Sequence, residues 1–256
     1  IRHFLLLSVF FCFSVSAVPA EGIYTYSVTD GEAKIMKVSA SASGELTTPQ
    51  TLGGYPVTAI NGFAFDGCTS LTKVTISEGV RSLGYGTFNG CTNLATIDFP
   101  DSLRTVEYEA LSSTKWYSLQ PEGVVYADGV VIGYKGSMTA NSTITFRKGT
   151  KAIASGALKD KTNIVGISFP EGFETIGTEA FSGCFNLKSL TFPESLKTIG
   201  SMAFFSCTKI PSVTITENVT EIGFYAFDGC SMLGEIVFDT VNEITDNNGF
   251  FGCENV

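Results

Sequence analysis

An α/β solenoid is the fold class this sequence predicts, and three observations predict it. Cys68 and Cys91 stand 23 residues apart, and Cys184, Cys207, Cys230 and Cys253 follow one another at the same interval. Around each cysteine the same apolar frame returns. Within that frame a two-residue alternation sits beside a helix-like i, i+1, i+4, i+7 spacing. A fixed period of this length implies stacked structural units rather than one globular core.

The first full copy of the frame reads Ile60, Ala64, Phe65, Gly67, Cys68, Leu71, Val74, Ile76, Val80. The second reads Leu83, Thr87, Phe88, Gly90, Cys91, Leu94, Ile97, Phe99, Leu103, and further copies start at Ile176, Ile199 and Ile222. A Leu-x-x-Leu-x-Leu core at a period of about 23 residues is the signature of a leucine-rich repeat. Val74 and Ile76 point to one side of a short strand and Thr75 to the other. Ala64, Phe65, Cys68 and Leu71 share one face of a short helix or helical turn. Gly67, Gly90 and Gly183 occupy a backbone position where a side chain or a negative φ would be costly. Pro100, Pro170 and Pro193 end the strand, because proline cannot donate to a ladder. Each repeat is therefore expected to run strand, turn, helical return. Strands centred near Val74, Ile97, Ile144, Ile167, Leu190, Val213 and Ile236 are expected to stack as one parallel sheet. A parallel β-helix is the competing solenoid, and the helical Ala-Phe-x-x-Cys spacing argues against it.

Three segments flank or interrupt the repeats. Residues 1–20 read as a signal peptide: Arg2, an apolar run over residues 4–13, then Ser14, Ser16, Ala17 and Ala20, with cleavage after Ala17 or Ala20. The run is shorter than the ~20 residues a transmembrane helix needs. Residues 21–56 read as an N-terminal β cap. Tyr24, Tyr26 and Val28 alternate before Asp30-Gly31, and residues 34–38 follow, so the segment predicts a hairpin. Such a cap hides the open end of a solenoid core. Residues 57–256 are the repeat domain, interrupted around 115–143. There Thr114 and Lys161 fill the cysteine slots of two degenerate copies, 47 residues apart, one more than two periods. Between them Trp116, Tyr117, residues 124–126, Asp128-Gly129 and residues 130–134 predict a second hairpin, and the frame resumes at Ile144 and Phe146. Val256 falls on a consensus leucine slot, so the sequence is expected to stop mid-repeat.

Charge and composition narrow the function. With 25 acidic and 16 basic residues the net charge is −9, or −10 once Arg2 leaves with the leader. That balance disfavours nucleic acid as a partner. No basic amphipathic stretch suggests membrane binding once the leader is gone. The single histidine, His3, lies in the leader. The mature chain then has no imidazole for a Ser-His-Asp triad or a His-containing zinc site. Neither an enzyme activity nor a cofactor is expected. The six cysteines beyond Cys12 share one phase of the repeat, which makes them parallel neighbours rather than facing disulfide partners. They read as small apolar thiols filling core slots. Gly84-Tyr85-Gly86 lacks the third glycine and the strand-to-helix context of a phosphate loop. Asn141-Ser142-Thr143 and Asn218-Val219-Thr220 have the form of glycosylation sequons.

The outward strand positions form two rows. Thr75, Asp98, Thr145, Ser168, Thr191, Thr214 and Val237 make one; Lys73, Thr96, Thr143, Ser189, Ser212 and Glu235 make the other. β-Branched threonine suits such a strand. The rows read either as an ordinary soluble face or as the broad binding surface that solenoids offer. In the interruption, Trp116, Tyr117, Tyr126 and Tyr134 either pack on the solenoid or anchor a partner. The candidate contact residues are thus Trp116, Tyr117, Tyr126, Tyr134, Thr145, Thr191 and Thr214.

The frame Ile-Gly-x-x-Ala-Phe-x-Gly-Cys-x-x-Leu-x-x-Leu-x-Phe-Pro, as at residues 176–193, resembles the BspA-like leucine-rich repeats of bacterial and some protozoan surface proteins. The resemblance covers roughly residues 46–256. Residues 116–136 also resemble the Trp-Tyr…Gly-x-x-Tyr…Tyr-Lys-Gly insertion that often interrupts such repeats. The resemblance implies a secreted or cell-surface protein that binds an extracellular macromolecule, protein or glycan, in adhesion or recognition. It carries no catalytic residues. A structural spacer presenting another domain is the alternative.

Overall fold

The computed structural model describes residues 18–239, 245–246, 249–250 and 253. The leader expected over residues 1–20 therefore lies outside the described residues as far as residue 17.

The chain winds into stacked turns at the expected period. The slot that opens each repeat builds one face of parallel strands. Ile35 is in register with Ile60, Ile60 with Leu83, and Leu83 with Val106. Past the interruption the column continues through Val131, Ile153, Ile176, Ile199 and Ile222. The strands expected from the Leu-x-x-Leu-x-Leu core build a second face. It comprises Leu46–Val74–Ile97, then Ile144–Ile167–Leu190, then Val213–Ile236. The single sheet expected from the sequence is therefore corrected to two faces of parallel strands. The second face is also broken twice. One break is the interruption. The other follows from Pro211, which stands where Ala95 and Lys188 donate backbone N–H bonds to Thr72 and Val165 of the preceding turn. Proline has no N–H to give, and the ladder lapses there.

The segment between the faces also differs from expectation. Ala64, Phe65, Cys68 and Leu71 do face the core together, but not on an α-helix. Ala64, Asp66 and Cys68 donate N–H bonds three residues back, to Asn61, Phe63 and Phe65, while Phe63, Phe65 and Gly67 donate to Tyr85, Thr87 and Asn89 of the next turn. Alternate residues thus bond within the turn and between turns. Two left-handed residues per turn make this possible, Phe63 (φ 57°) and Gly67 (φ 70°) in this copy. An α-helix admits neither, because left-handed backbone breaks its i→i−4 ladder. The expected helical return is therefore a stack of tight turns. Gly90 and Gly183 recur in the second left-handed slot with φ 70° and 74°, which accounts for the glycines the sequence singles out.

Both expected hairpins form. Tyr24–Thr29 pairs antiparallel with Glu32–Val38 around Asp30 (φ 51°) and Gly31 (φ 77°), a turn with two left-handed centres. Its second strand pairs parallel with Tyr55–Ile60, so solenoid stacking already begins inside the cap. In the interruption, Gly123–Ala127 pairs with Val130–Lys135. A four-residue helix, Lys115–Ser118, precedes it and is capped by the Thr114 hydroxyl.

Apolar side chains from successive turns pile into one core. Phe181, Phe204, Phe227 and Phe250 stack nearly parallel with centroids 5.3, 5.1 and 5.0 Å apart. Adjacent turns come closest at the glycine after the first-face isoleucine. A Cβ on Gly84 would lie 2.3 Å from the Gly62 nitrogen, and one on Gly200 would lie 2.6 Å from the Thr178 nitrogen. Both obstacles are backbone, which cannot swing aside. Gly200→Ala should therefore lower stability by about 1–3 kcal/mol or more. Gly234→Ala, with nothing within 4 Å of the added atom, should cost almost nothing. Parallel denaturant titrations of the two variants check this, and equal midpoints would contradict the close-contact reading.

Candidate functional site

The structure separates the seven candidate contact residues into two groups. Thr145, Thr191 and Thr214 are exposed on the second face. Thr145 is in register with Ser168, and Thr214 with Val237, so parts of the outward row lie side by side within separate sheets. Among the described residues, the one ion pair recorded within the two rows joins Lys73 and Asp98 at 3.1 Å.

The four aromatics of the interruption are all partly buried. Trp116 is half-buried and meets Phe99 edge-on with centroids 5.2 Å apart. Tyr117 is half-buried, its hydroxyl close over Gly133 of the hairpin; burial pushes its phenol up from the ordinary value. Lys135 ties the two parts together. Its Nζ donates to the carbonyls of Tyr117, Ser118 and Gln120 at 3.2, 2.8 and 2.5 Å. The ammonium thus gathers carbonyls from the last turn of the helix and the segment just after it. Tyr126 packs on the core, lies 4.1 Å from the Arg147 guanidinium carbon, and accepts a bond from the Arg147 backbone at 3.3 Å. Tyr134 is half-buried against the core. The interruption is thus one packed unit, with Trp116 at its outer edge, rather than a freely projecting aromatic arm.

Where the interruption breaks the first-face ladder, side chains bridge turns far apart in sequence. Arg104 pairs with Glu174 at 3.0 Å, and Ser155 donates to Glu107 at 2.8 Å. The Tyr108 hydroxyl and the Lys159 ammonium both donate to one Glu179 oxygen. Lys159 and Tyr108 together hold the Glu179 carboxyl below its usual range. Burial raises the Tyr108 phenol, and Glu179 raises it further. Sequence reasoning missed this cluster; Tyr108 and Glu179 are 71 residues apart, and only the shared phase of Tyr85 and Tyr108 hints at it. A cavity of about 70 Å³ lies beside it, lined by Val106, Glu107, Tyr117, Ile132 and Ser155 among others. That is room for a few water molecules, far below the ~300 Å³ of an ordinary ligand pocket.

The six cysteines among the described residues are free thiols, with all but the half-buried Cys253 fully buried. Each has a job the sequence did not reveal. The thiols of Cys91, Cys207, Cys230 and Cys253 donate to the carbonyls of Phe65, Phe181, Phe204 and Phe227 in the preceding turn, at 3.1–3.3 Å. Cys184 does the same to Leu158. A small group that fills the slot and also carries a weak donor suits it well. In the degenerate turn where Thr114 takes the slot, Ser113 donates to Phe88 instead. Among the described residues no group of three or more His, Cys, Asp or Glu side chains could hold a metal ion. No helix among them is long and apolar enough to cross a membrane.

The stacked turns, the inter-turn cysteine and phenylalanine ladders and the period define a leucine-rich-repeat solenoid. The chain belongs to the BspA type leucine-rich-repeat family, whose repeat region matches in 6 copies over residues 48–125 and 134–256. No curated protein sequence matches it. Among solved structures, it is similar to the T. pallidum leucine-rich-repeat protein TpLRR, at 25% identity over 88% of this chain and 85% of that one, TM-score 0.40. A leucine-rich-repeat protein from Eubacterium ventriosum is 16% identical over 92% and 82%, TM-score 0.47. The pneumococcal vaccine antigen PcpA is 16% identical over 91% and 89%, TM-score 0.44.

Burial raises the thiols of Cys91, Cys184 and Cys230 to about 12 from an ordinary 9.0. The folded chain then holds protons that the unfolded chain sheds above pH 9, so stability should be full below pH 9 and fall between pH 9 and 12. Melting temperatures measured across that range under reducing conditions check the sign. In the same protein, an alkylating reagent at pH 8 should label the buried thiols only after unfolding; native labelling of Cys207 would contradict the assignment.

Proposed function

We propose that this protein is a secreted or cell-surface recognition module that binds an extracellular macromolecule, protein or glycan, through the outward rows of its second face. The observation that carries this reading is the exposure of Thr145, Thr191 and Thr214 along the second face, where Thr145 pairs in register with Ser168 and Thr214 with Val237, a polar surface with one internal ion pair recorded among the described residues. Such a surface offers many equivalent weak contacts, which suits an extended partner. Family membership and the leader-like residues 1–20 support an extracellular setting. Strand Val18–Glu21 pairs antiparallel with Tyr24–Thr29, so leader cleavage after Ala17 keeps that strand whereas cleavage after Ala20 removes most of it.

Trp116 borders the second face beside Phe99, and it is the aromatic best placed to anchor a partner at the margin of the array. Screening immobilised protein against matrix proteins and glycans at physiological salt should yield a partner. With it in hand, the double variant Thr191→Glu, Thr214→Glu should weaken binding at least tenfold with an unchanged melting temperature. Trp116→Ala should weaken binding by ~2 kcal/mol or more. Because its ring is only half-buried, the same change should destabilise by less than the ~3–5 kcal/mol of a fully buried aromatic. A partner whose affinity ignores all three substitutions would move the binding surface elsewhere, and the absence of any partner would favour the spacer reading.

A further inference from the structure

We propose that Phe63, Tyr85 and Glu109 form a cradle for a lysine ammonium presented by the partner. The inference rests on the recognition reading and adds the chemistry of one contact.

The cradle sits on the corner where each turn leaves the first face. Tyr85 is 45% exposed, and its hydroxyl donates to Glu109 Oε2 at 2.8 Å. Phe63, 46% exposed, meets the Tyr85 ring edge-on with centroids 5.2 Å apart. It also lies over Gly86, where a Cβ would come within 2.9 Å of its ring. A ring face and an adjoining carboxylate both attract a cation, and an ammonium can engage both at once.

The same chain shows this arrangement filled. One turn on, Tyr108 stands in the phase of Tyr85. Its hydroxyl bonds to the Glu179 carboxylate, its ring lies over Gly156, and Lys159 Nζ sits 6.0 Å from the ring centroid while pairing with that carboxylate. Lys159 stands three residues after the left-handed Gly156. Three residues after left-handed Glu109 stands Ser112, whose hydroxyl bonds back to the Glu109 carbonyl at 3.4 Å. Among the described residues no lysine or arginine is recorded over Tyr85 or paired with Glu109. The tyrosine–carboxylate pair is thus present in both turns, and the chain supplies the cation in only one.

The left-handed backbone of Phe63 recurs in the same phase at Gly86, Glu109, Gly156, Glu179, Met202 and Tyr225, so it belongs to the fold. What marks this corner is that a bulky aromatic fills the phase while 46% exposed, edge-on to the exposed Tyr85 ring, which leaves ring surface open to a cation from outside the chain. The net charge of −9 supplies the long-range complement to a cationic partner.

The test is an NMR titration of the full chain with tetralysine at low ionic strength, following the ring resonances of Phe63 and Tyr85, beside tetra(acetyl-lysine) as a neutral probe. Tetralysine should shift these rings saturably and the acetylated peptide should not. Glu109→Gln should weaken tetralysine about fivefold. Ser112→Lys, which supplies an internal ammonium, should suppress it, while Ser112→Ala and the remote Glu194→Gln should leave it unchanged. Equal weakening by Glu194→Gln would reduce the effect to general attraction by an acidic surface and overturn the cradle, as would equal binding of the acetylated peptide or no saturable shift. If Ser112→Lys fails to fold, Glu109→Gln against Glu194→Gln decides alone. These outcomes are separable from the recognition reading, whose partner screen depends on Trp116 and the threonine rows.

Discussion

Everything in this molecule depends on the close contact between the backbones of successive turns. At Gly84 and Gly200 the approach leaves no room for a Cβ, and that proximity lets alternate N–H groups of the tight-turn segment reach the next turn. With those bonds made, no buried backbone donor there needs a helix to satisfy it. The spacing also sets the phenylalanine stack and brings each thiol within reach of the preceding turn's carbonyl. Core packing, hydrogen bonding and register are consequences of one repeat distance.

The interruption shows how that dependence is relaxed. Val131 of the inserted hairpin enters the first-face column, yet its strand is not laddered to Thr105–Val106. One backbone bond still crosses, from the Ser155 N–H to the Val106 carbonyl at 3.0 Å, and side chains supply the rest of the bridge through Arg104–Glu174, Ser155–Glu107 and Tyr108–Glu179. The half-exposed ion pair adds little by itself. The phenol and the ammonium converging on Glu179 make a more specific clasp, because they fix that side chain from two directions.

Most of the fold is legible in the residues. The period, the parallel stacking, both Asp-Gly hairpins, the strand centres and the left-handed Gly67, Gly90 and Gly183 follow from spacing and glycine placement. The return segment was misread because Ala64, Phe65, Cys68 and Leu71 carry the spacing of a helix. A train of tight turns also advances its side chains by about that amount. What separates the two is φ at Phe63, a left-handed residue that is not glycine and so leaves no mark in the sequence. The first face was missed for a related reason: two-residue strands such as Thr175–Ile176 and Thr198–Ile199 are too short to show alternation. Of the candidate contacts, the exposure of Thr145, Thr191 and Thr214 was readable from strand parity, whereas the half-burial of Trp116 and Tyr117 depends on Phe99 and Gly133, contacts across elements that no local pattern encodes.

The architecture also shapes what chemistry its surface can do. Parallel stacking repeats a residue on each turn at one strand spacing, ~4.8 Å, with every copy pointing the same way. Such rows multiply weak equivalent contacts but do not converge several different groups on one atom, which acid–base or nucleophilic catalysis requires. Convergence needs residues from different phases of the repeat. Along this chain it occurs at Tyr108, Lys159 and Glu179, where the ladder is interrupted, and at Phe63, Tyr85 and Glu109, on the corner of the laddered turns before it. The first cluster spends its cation internally and closes the seam. The second has the same tyrosine and carboxylate but faces outward, so the corner complements the second face: one gives a place to select a charge, the other breadth of contact.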